Sequence, residues 1–487
     1  MTVAHDFSVT PFERVILRDY QSDMIDRLRQ SLRSGHRRVL LQSPTGSGKT
    51  ALAAFITKES SSRGKSVYFN CHRAELVSGT SNTFSKYGIR HGFIVAGREG
   101  VHALVNVCSI DTLKNRLATT PPPYIAIWDE CKHLGAAGWK MILDAWPDTI
   151  HIGLDATPWR LDGTGLDDCF DDLILGPAVS WLIEHGHLSQ YEIFAPFTPN
   201  MKGARKQAGD WSKKDASDRM DIPKRTGDIV KHWRLHASGL RTIGFAVNVA
   251  DSLMLVDRFN AEGIPAAHLD AKTPKGLRKQ IIDKFARGEI LVLFNVALFD
   301  EGFDLAAIAQ ADVTVDCLID AAPTMSLSRV LQRWGRVLRP KPYPAIILDH
   351  AGNSSRHGFP DDEREWSLQG RDKSGGAAND NGPPPPVTCT GCFRQIKRPL
   401  PDCCPSCGKK LIAEMKPVEV TEGELKKLTA EDKAAQRRKL RQEEHEAKTL
   451  AELAALGQRR GYANPTTWAF KKWRNSPTRQ RLAKFAG

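Results

Sequence analysis

The chain has no run of apolar residues near the ~18 that a membrane-spanning helix requires. Its opening residues, Met1-Thr2-Val3-Ala4-His5-Asp6, lack the basic-then-apolar pattern of a secretory leader. These absences argue against a membrane partner and set the expectation of a soluble, cytoplasmic protein. That compartment disfavours a disulfide scaffold. Cys71, Cys108, Cys131, Cys169 and Cys317 are widely scattered and read as reduced core thiols. No convincing nuclease carboxylate–lysine cluster stands out either, which weakens a nuclease reading. The last 27 residues contain no acid.

What is present starts with charge. The chain of 487 residues, about three domains by length, carries a net charge of +13. From Val387 onward there are 22 Lys/Arg against 11 Asp/Glu, so +11 of that charge lies in the C-terminal fifth. A basic segment on a nearly neutral body favours a polyanion such as nucleic acid.

Ser43-Pro44-Thr45-Gly46-Ser47-Gly48-Lys49-Thr50 follows the apolar run Val39-Leu40-Leu41 and precedes the helix-friendly Ala51-Leu52-Ala53-Ala54-Phe55. Strand, glycine-rich turn and helix start is the context of a phosphate-binding loop. Its glycines let backbone N–H groups converge on phosphate oxygens, and the helix dipole adds to the pull. Lys49 is expected on the β/γ-phosphates of ATP, and the Thr50 hydroxyl on Mg²⁺. Ser43 stands where the strict pattern begins with Gly. About 80 residues after the loop, the apolar strand Tyr124-Ile125-Ala126-Ile127-Trp128 ends in Asp129-Glu130-Cys131-Lys132-His133. A carboxylate at that strand end can hold Mg²⁺, assigned to Asp129. Its neighbour Glu130 can orient or deprotonate the attacking water.

On these and further motifs in order, roughly residues 15–350 resemble the superfamily-two helicases of the DEAD/DEAH-box kind. Leu17-Arg18-Asp19-Tyr20-Gln21 resembles the adenine-reading segment, which places Gln21 on the base edge. His72-Arg73-Ala74-Glu75-Leu76 and Ser109-Ile110-Asp111-Thr112-Leu113 resemble the strand-contacting motifs. Asp129-Glu130-Cys131-Lys132-His133 keeps the ligating pair, departs at its third and fourth positions, and ends in a His read as that of DEAH. Leu154-Asp155-Ala156-Thr157-Pro158 has Asp155 where the family has Ser/Thr. Ile243-Gly244-Phe245-Ala246 and Asn248-Val249-Ala250 resemble the opening of the second motor domain. Phe294-Asn295-Val296-Ala297-Leu298-Phe299-Asp300-Glu301-Gly302-Phe303-Asp304 resembles the motif with an ATP-facing Asp, here Asp304 beside Gly302. Gln332-Arg333-Trp334-Gly335-Arg336-Val337-Leu338-Arg339 resembles the arginine-finger motif. It implies Arg336 and Arg339 as fingers on the γ-phosphate, in trans from the opposite domain, and Gln332 as a further catalytic residue.

The resemblance implies an α/β fold of two tandem RecA-like parallel-sheet motor domains of the P-loop NTPase type. Composition sets the boundaries: 1–190 and 191–350 for the motor domains, 351–386 as a disordered linker ending in Pro383-Pro384-Pro385-Pro386. The polar stretch 199–225, with Lys202, Arg205, Lys206, Lys213 and Lys214, reads as a surface insertion. Residues 387–412 form a zinc-ribbon-like module. Cys389-Thr390-Gly391-Cys392 and Cys404-Pro405-Ser406-Cys407 are two knuckles eleven residues apart, suited to one tetrahedral Zn²⁺. Cys403 competes as a ligand, but Cys404 gives the two-residue spacing. Residues 413–487 read as a helical basic region with Leu440, Leu450, Leu453 and Leu456 as a thin stripe. Tyr462, Trp468, Phe470 and Trp473 lie among cations there, suited to base stacking or to a small aromatic core.

Motor, then Leu348-Asp349-His350-Ala351-Gly352-Asn353, then four cysteines resembles more narrowly the RadD-type bacterial DNA-repair helicases and their phage-encoded relatives. That implies an ATP-dependent DNA helicase or translocase acting in repair or recombination, with a protein of those processes as partner. An ATPase switch that binds nucleic acid without unwinding is the alternative. An RNA helicase is another, because backbone-contacting motifs do not tell DNA from RNA.

Overall fold

The computed structural model describes residues 14–299, 313–370, 386–411 and 439–474, except 73, 99–102, 136, 161, 208 and single positions in the last stretch. The chain separates into two compact units, Met1–Ala413 and Glu414–Gly487.

Seven short strands make the first sheet: β1 (Arg38–Gln42), β2 (Val67–Cys71), β3 (Gly92–Ile94), β4 (Val105–Ser109), β5 (Ile125–Asp129), β6 (Ile150–Asp155) and β7 (Asp172–Leu175). Their order is β3-β4-β2-β5-β6-β1-β7, and every pairing is parallel. The strands are runs of Val, Ile, Leu and aromatics buried on both faces, as a parallel sheet covered by helices requires. Register matters most at one end. Gln42 pairs with Asp155, and Asp129 with Leu154. The carboxyl ends of β1, β5 and β6 therefore lie side by side, where ligands of such sheets bind. Trp128 on β5 is fully buried and donates its indole N–H to His151 Nδ1 at 3.1 Å. Burial pushes the His151 pKa down to about 4, so the ring stays neutral and accepts.

The second sheet is also parallel. It contains β8 (Tyr191–Phe194), β11 (Thr242–Ala246), β12 (Ala266–Leu269), β13 (Val292–Asn295), β14 (Cys317–Ala321) and β15 (Ala345–Asp349), in the order β12-β13-β11-β14-β15-β8. Between β8 and β11 comes a hairpin of β9 (Lys206–Gln207) and β10 (Asp210–Trp211). The turn Asp349–Asn353 is explained by packing. Asp349 accepts from the backbone of Ala351, Asn353 and Ser354, and Asn353 donates to Asp320.

Residues 351–370, the first part of the expected linker, are packed on the motor domains. Trp159 Nε1 donates to Ser367 O, Leu166 N donates to Leu368 O, and Trp366 packs edge-on against Trp159. Residues up to Gly370 thus return to the first sheet's side. The pattern missed this because those contacts are largely to backbone. The rest of the expected linker, 371–385, lies outside the described residues.

In the second unit, the helix Leu450–Arg459 has a capping box between Thr449 and Glu452, and Pro465–Arg474 packs on it. Leu453 and Leu456 are buried, but Leu440 and Leu450 are exposed, so the expected stripe is half as long. Trp468 and Trp473 pack against Ala447, Leu453 and Ala469. These two aromatics build a small core, on whose edge the half-exposed Tyr462 ring packs against Trp468, whereas Phe470 faces solvent.

Candidate nucleotide site and metal centre

The phosphate loop is built by residues that fold it onto itself. Gly46 and Gly48 adopt φ of 87° and 90°, the left-handed region that glycine enters without cost. Gly48 then caps the helix Lys49–Ser62. Ser43, the departure from the strict pattern, is fully buried; its hydroxyl lies 2.5 Å from the Ser47 hydroxyl, which donates to Pro44 O at 2.6 Å. Both serines brace the loop from inside. Lys49 arches back, Nζ to Ser43 O at 3.1 Å. Burial lowers its pKa, while Glu130, Asp155 and Asp129 pull the other way. Thr50 is exposed on the first turn of the helix, and Thr45 is half-buried.

Gln21 is bonded to the phosphate loop. Its Nε2 donates to Ser47 O at 3.0 Å and Gly48 O at 3.3 Å, and its Oε1 accepts from Arg18 N. Tyr20 adds a 2.6 Å bond to Ser47 O. Here the segment clamps the phosphate loop, because the loop's outward carbonyls need donors.

Asp129 ends β5 and takes no side-chain hydrogen bond among the described residues. Burial first, then repulsion from Glu130, pushes its carboxyl up to about 7 against the pull of Lys49. A divalent cation beside Asp129 would favour its charged form. Glu130 follows at φ 51°, unusual for a residue other than glycine. Such backbone costs about 1–3 kcal/mol and persists where surroundings over-determine it. They do so here. Glu130 Oε2 accepts from Lys132 Nζ and, at 2.6 Å, from Gln332 Nε2 of the second motor domain.

Sequence reasoning undervalued Lys132. Counted residue by residue, Lys132 and not His133 fills the fourth place of the motif. Its buried ammonium lies between Glu130 and Asp155, 3.6 Å from Asp155 Oδ1. His133 instead lies against His72 and Trp139. Asp155 accepts from Lys132 N at 2.9 Å and Thr157 N at 3.1 Å, which gives its unusual place a structural reason. Thr157 then donates to Ser328 across the cleft at 2.6 Å. The departure at the fourth motif position was the signal available for Lys132; Ser328 left none.

The helix Leu327–Trp334 and its C-cap Gly335 face this cluster. A Cβ on Gly335 would lie 2.4 Å from Thr45 Cβ, so only glycine permits so close an approach to the phosphate loop. Arg336 Nε donates to Phe299 O at 3.1 Å, and Arg339 is half-buried three residues on. Arg333 is committed to the core, paired with Asp320 at 3.3 Å and lying over the Phe245 ring. Gly302 and Asp304 lie outside the described residues.

The second cluster is Cys389, Cys392, Cys404 and Cys407, whose Sγ atoms all lie within 4.8 Å of one another. Cys389–Cys407 and Cys392–Cys404 are each 3.6 Å apart, far from disulfide length. Four thiolates at ~2.3 Å from one tetrahedral ion are spaced by about 3.8 Å, so the set fits a metal. Cys403 is exposed and outside the set. The module sits on the edge strand β8: Ala195 N donates to Phe393 O, and Arg394 pairs with Glu192 at 2.6 Å.

Residues 14–160 match the family described as Type III restriction enzyme, res subunit, and residues 227–341 match the helicase conserved C-terminal domain. A 51.5 kDa protein of a Lactococcus phage (isolate 7-9) is 34% identical over 328 residues, 67% of this chain and 68% of that protein. The chain belongs to the superfamily-two helicases. The helicase is also 28% identical over 350 residues to IRC3 of Saccharomyces cerevisiae, covering 66% of this chain and 49% of IRC3. It thus spans about half the length of that relative. The DNA 3'-5' translocase XPB2 of Sulfurisphaera tokodaii is 22% identical over 382 residues, 69% of this chain and 82% of its own. The two parallel sheets are the helicase's RecA-like motor domains, and the enzyme is an ATP hydrolase.

Proposed function

We propose that this helicase couples ATP hydrolysis to movement on, or remodelling of, DNA. The observation that carries the coupling is the bond from Gln332 to Glu130. The carboxylate assigned to the attacking water is held from both sides of the cleft, so domain arrangement and chemistry are joined at one oxygen. In this reading Lys49 binds the β/γ-phosphates within the backbone cradle of Thr45, Gly46, Ser47 and Gly48. Thr50 and Asp129 would hold Mg²⁺, which neutralises phosphate charge when bound. Glu130 orients the water and takes its proton. Arg336, with Arg339, offsets charge developing on the γ-phosphate from the opposite domain. Gly302 and Asp304 are assigned to the nucleotide on motif position alone.

The DNA reading is supported by the named translocase relative and by the basic C-terminal fifth. We assign Zn²⁺ to the four-cysteine cluster, because an all-thiolate tetrahedral set suits it and so small a module gains its fold from the metal. A place in repair or recombination in the cytoplasm, and kinship with the RadD-type enzymes, remain part of this proposal. The test is ATP hydrolysis across single-stranded, duplex, forked and RNA ligands at one salt concentration, beside strand displacement. Stimulation by DNA above RNA is expected. Equal or greater stimulation by RNA would contradict the DNA assignment. Hydrolysis without displacement or translocation would replace the motor with a switch.

A further inference from the structure

The hairpin Lys206–Trp211 belongs to the stretch read as a surface insertion, yet one of its side chains is drawn inward. Asp210 is only 15% exposed. Its Oδ1 accepts from Met325 N at 2.7 Å, and its Oδ2 accepts from the Thr324 hydroxyl and from Arg329 at 2.6 Å. Thr324 and Met325 lead directly into the helix Leu327–Trp334, and Arg329 lies in its first turn. Ser326 already caps that helix by accepting from Arg329 N. Asp210 therefore is not the cap. It adds a negative charge at the positive end of the helix and ties the incoming chain to an element outside both sheets.

The hairpin is itself held. Gly209 at its tip turns with φ 80° beside Asp162 of the first motor domain, and Arg356 lies over the Trp211 ring at 4.6 Å. At the helix's other end, Gln332 bonds Glu130 and Gly335 abuts Thr45. Eight helical residues span about 12 Å, and so short a helix moves as a rigid rod.

We propose that Asp210 is a positioning residue for ATP hydrolysis: it fixes the near end of the rod whose far end holds Gln332 against Glu130 and leads, through Gly335 packed on Thr45, to Arg336. The proposal rests on the roles assigned to those two residues above. A carboxylate is needed because three donors converge on it, one of them charged. The amide of Asn supplies only one oxygen and no charge.

The experiment compares full-length wild type with Asp210→Asn, Asp215→Asn and Arg336→Ala by steady-state ATPase at saturating DNA, with melting curves for each. Asp215 lies just past the hairpin and pairs with the exposed Arg205, away from the helix, so its variant controls for local disturbance. Asp210→Asn is expected to lower kcat about tenfold with KM for ATP within about twofold, since misplacement of ~1 Å can cost ~100-fold. Asp215→Asn should match wild type. Wild-type kcat in Asp210→Asn with an impaired Arg336→Ala overturns this inference alone. Wild-type kcat in Arg336→Ala overturns the finger assignment beneath it. Equal losses in both aspartate variants, with lowered melting points, would make the hairpin a general support and also overturn the inference. If Asp210→Asn does not fold, Arg329→Gln removes the charge from the helix side, and an unchanged kcat there is equally decisive against it.

Discussion

The nucleotide cleft and the four-cysteine module both gather charged or ligating groups at one point, but by opposite routes. The cleft draws Lys49, Asp129, Glu130, Asp155 and Gln332 from strand ends and a helix spread over nearly 300 residues. Parallel register brings them together, and buried polar partners hold them. The module draws four thiols from one short stretch with little core of its own. The first site is preformed by the fold; the second, if it holds the proposed ion, would draw much of its stability from that ion. Losing a single group should therefore act on chemistry in the cleft and on structure in the module.

The comparison is strained hardest by Lys49→Ala. Removing the cation on the β/γ-phosphates should lower turnover by about a thousandfold, the scale of other phosphate-charge partners, with the fold intact. A coupled phosphate-release assay reads it, and near-normal turnover would break the nucleotide assignment. Lys132→Ala tests whether the cleft is held by its buried charges. It leaves Glu130 and Asp155 adjacent without their shared counter-charge, so destabilisation of about 3–5 kcal/mol is expected in denaturant unfolding. An unchanged midpoint would show that the ammonium is dispensable.

On the module's side, the double variant Cys404→Ser, Cys407→Ser should lose its one equivalent of zinc by elemental analysis. ATP affinity should stay within about twofold, since the thiols lie outside the cleft. Full zinc retention would refute the ligand set. The smallest effect is expected from deleting 414–487: weaker DNA binding and a flatter salt dependence, with ATP affinity unchanged. An unchanged salt slope would assign the basic unit to a protein partner.

These differences explain what could be read in advance. The phosphate loop, the Asp129-Glu130 pair and the cysteine spacing were legible because their chemistry is local, and local spacing is what a sequence displays. Partners from elsewhere in the chain were not. Gln21 carries the motif, but its bonds to the carbonyls of a loop twenty-six residues on could not be read from it. Lys132 stood in plain view at the fourth motif position, yet only the buried Asp155 beside it reveals its role. Arg333 and Arg336 look equivalent in a basic motif. Burial against Asp320 and Phe245 separates them. Asp210 sits in a polar stretch whose composition says solvent, and only the tertiary fold turns it toward a helix that lies over a hundred residues on.

The central claim is that Glu130, held from both motor domains, carries out the water-activating step while Asp129 and Lys49 bind the nucleotide. Glu130→Gln separates those roles in one measurement, ATP binding and single-turnover hydrolysis on the same preparation with DNA present. The amide keeps the shape and can still meet Gln332, but it cannot take a proton. ATP should bind within about threefold of wild type while hydrolysis falls by about a hundredfold or more, the usual worth of a general base. Hydrolysis at the wild-type rate would contradict the account.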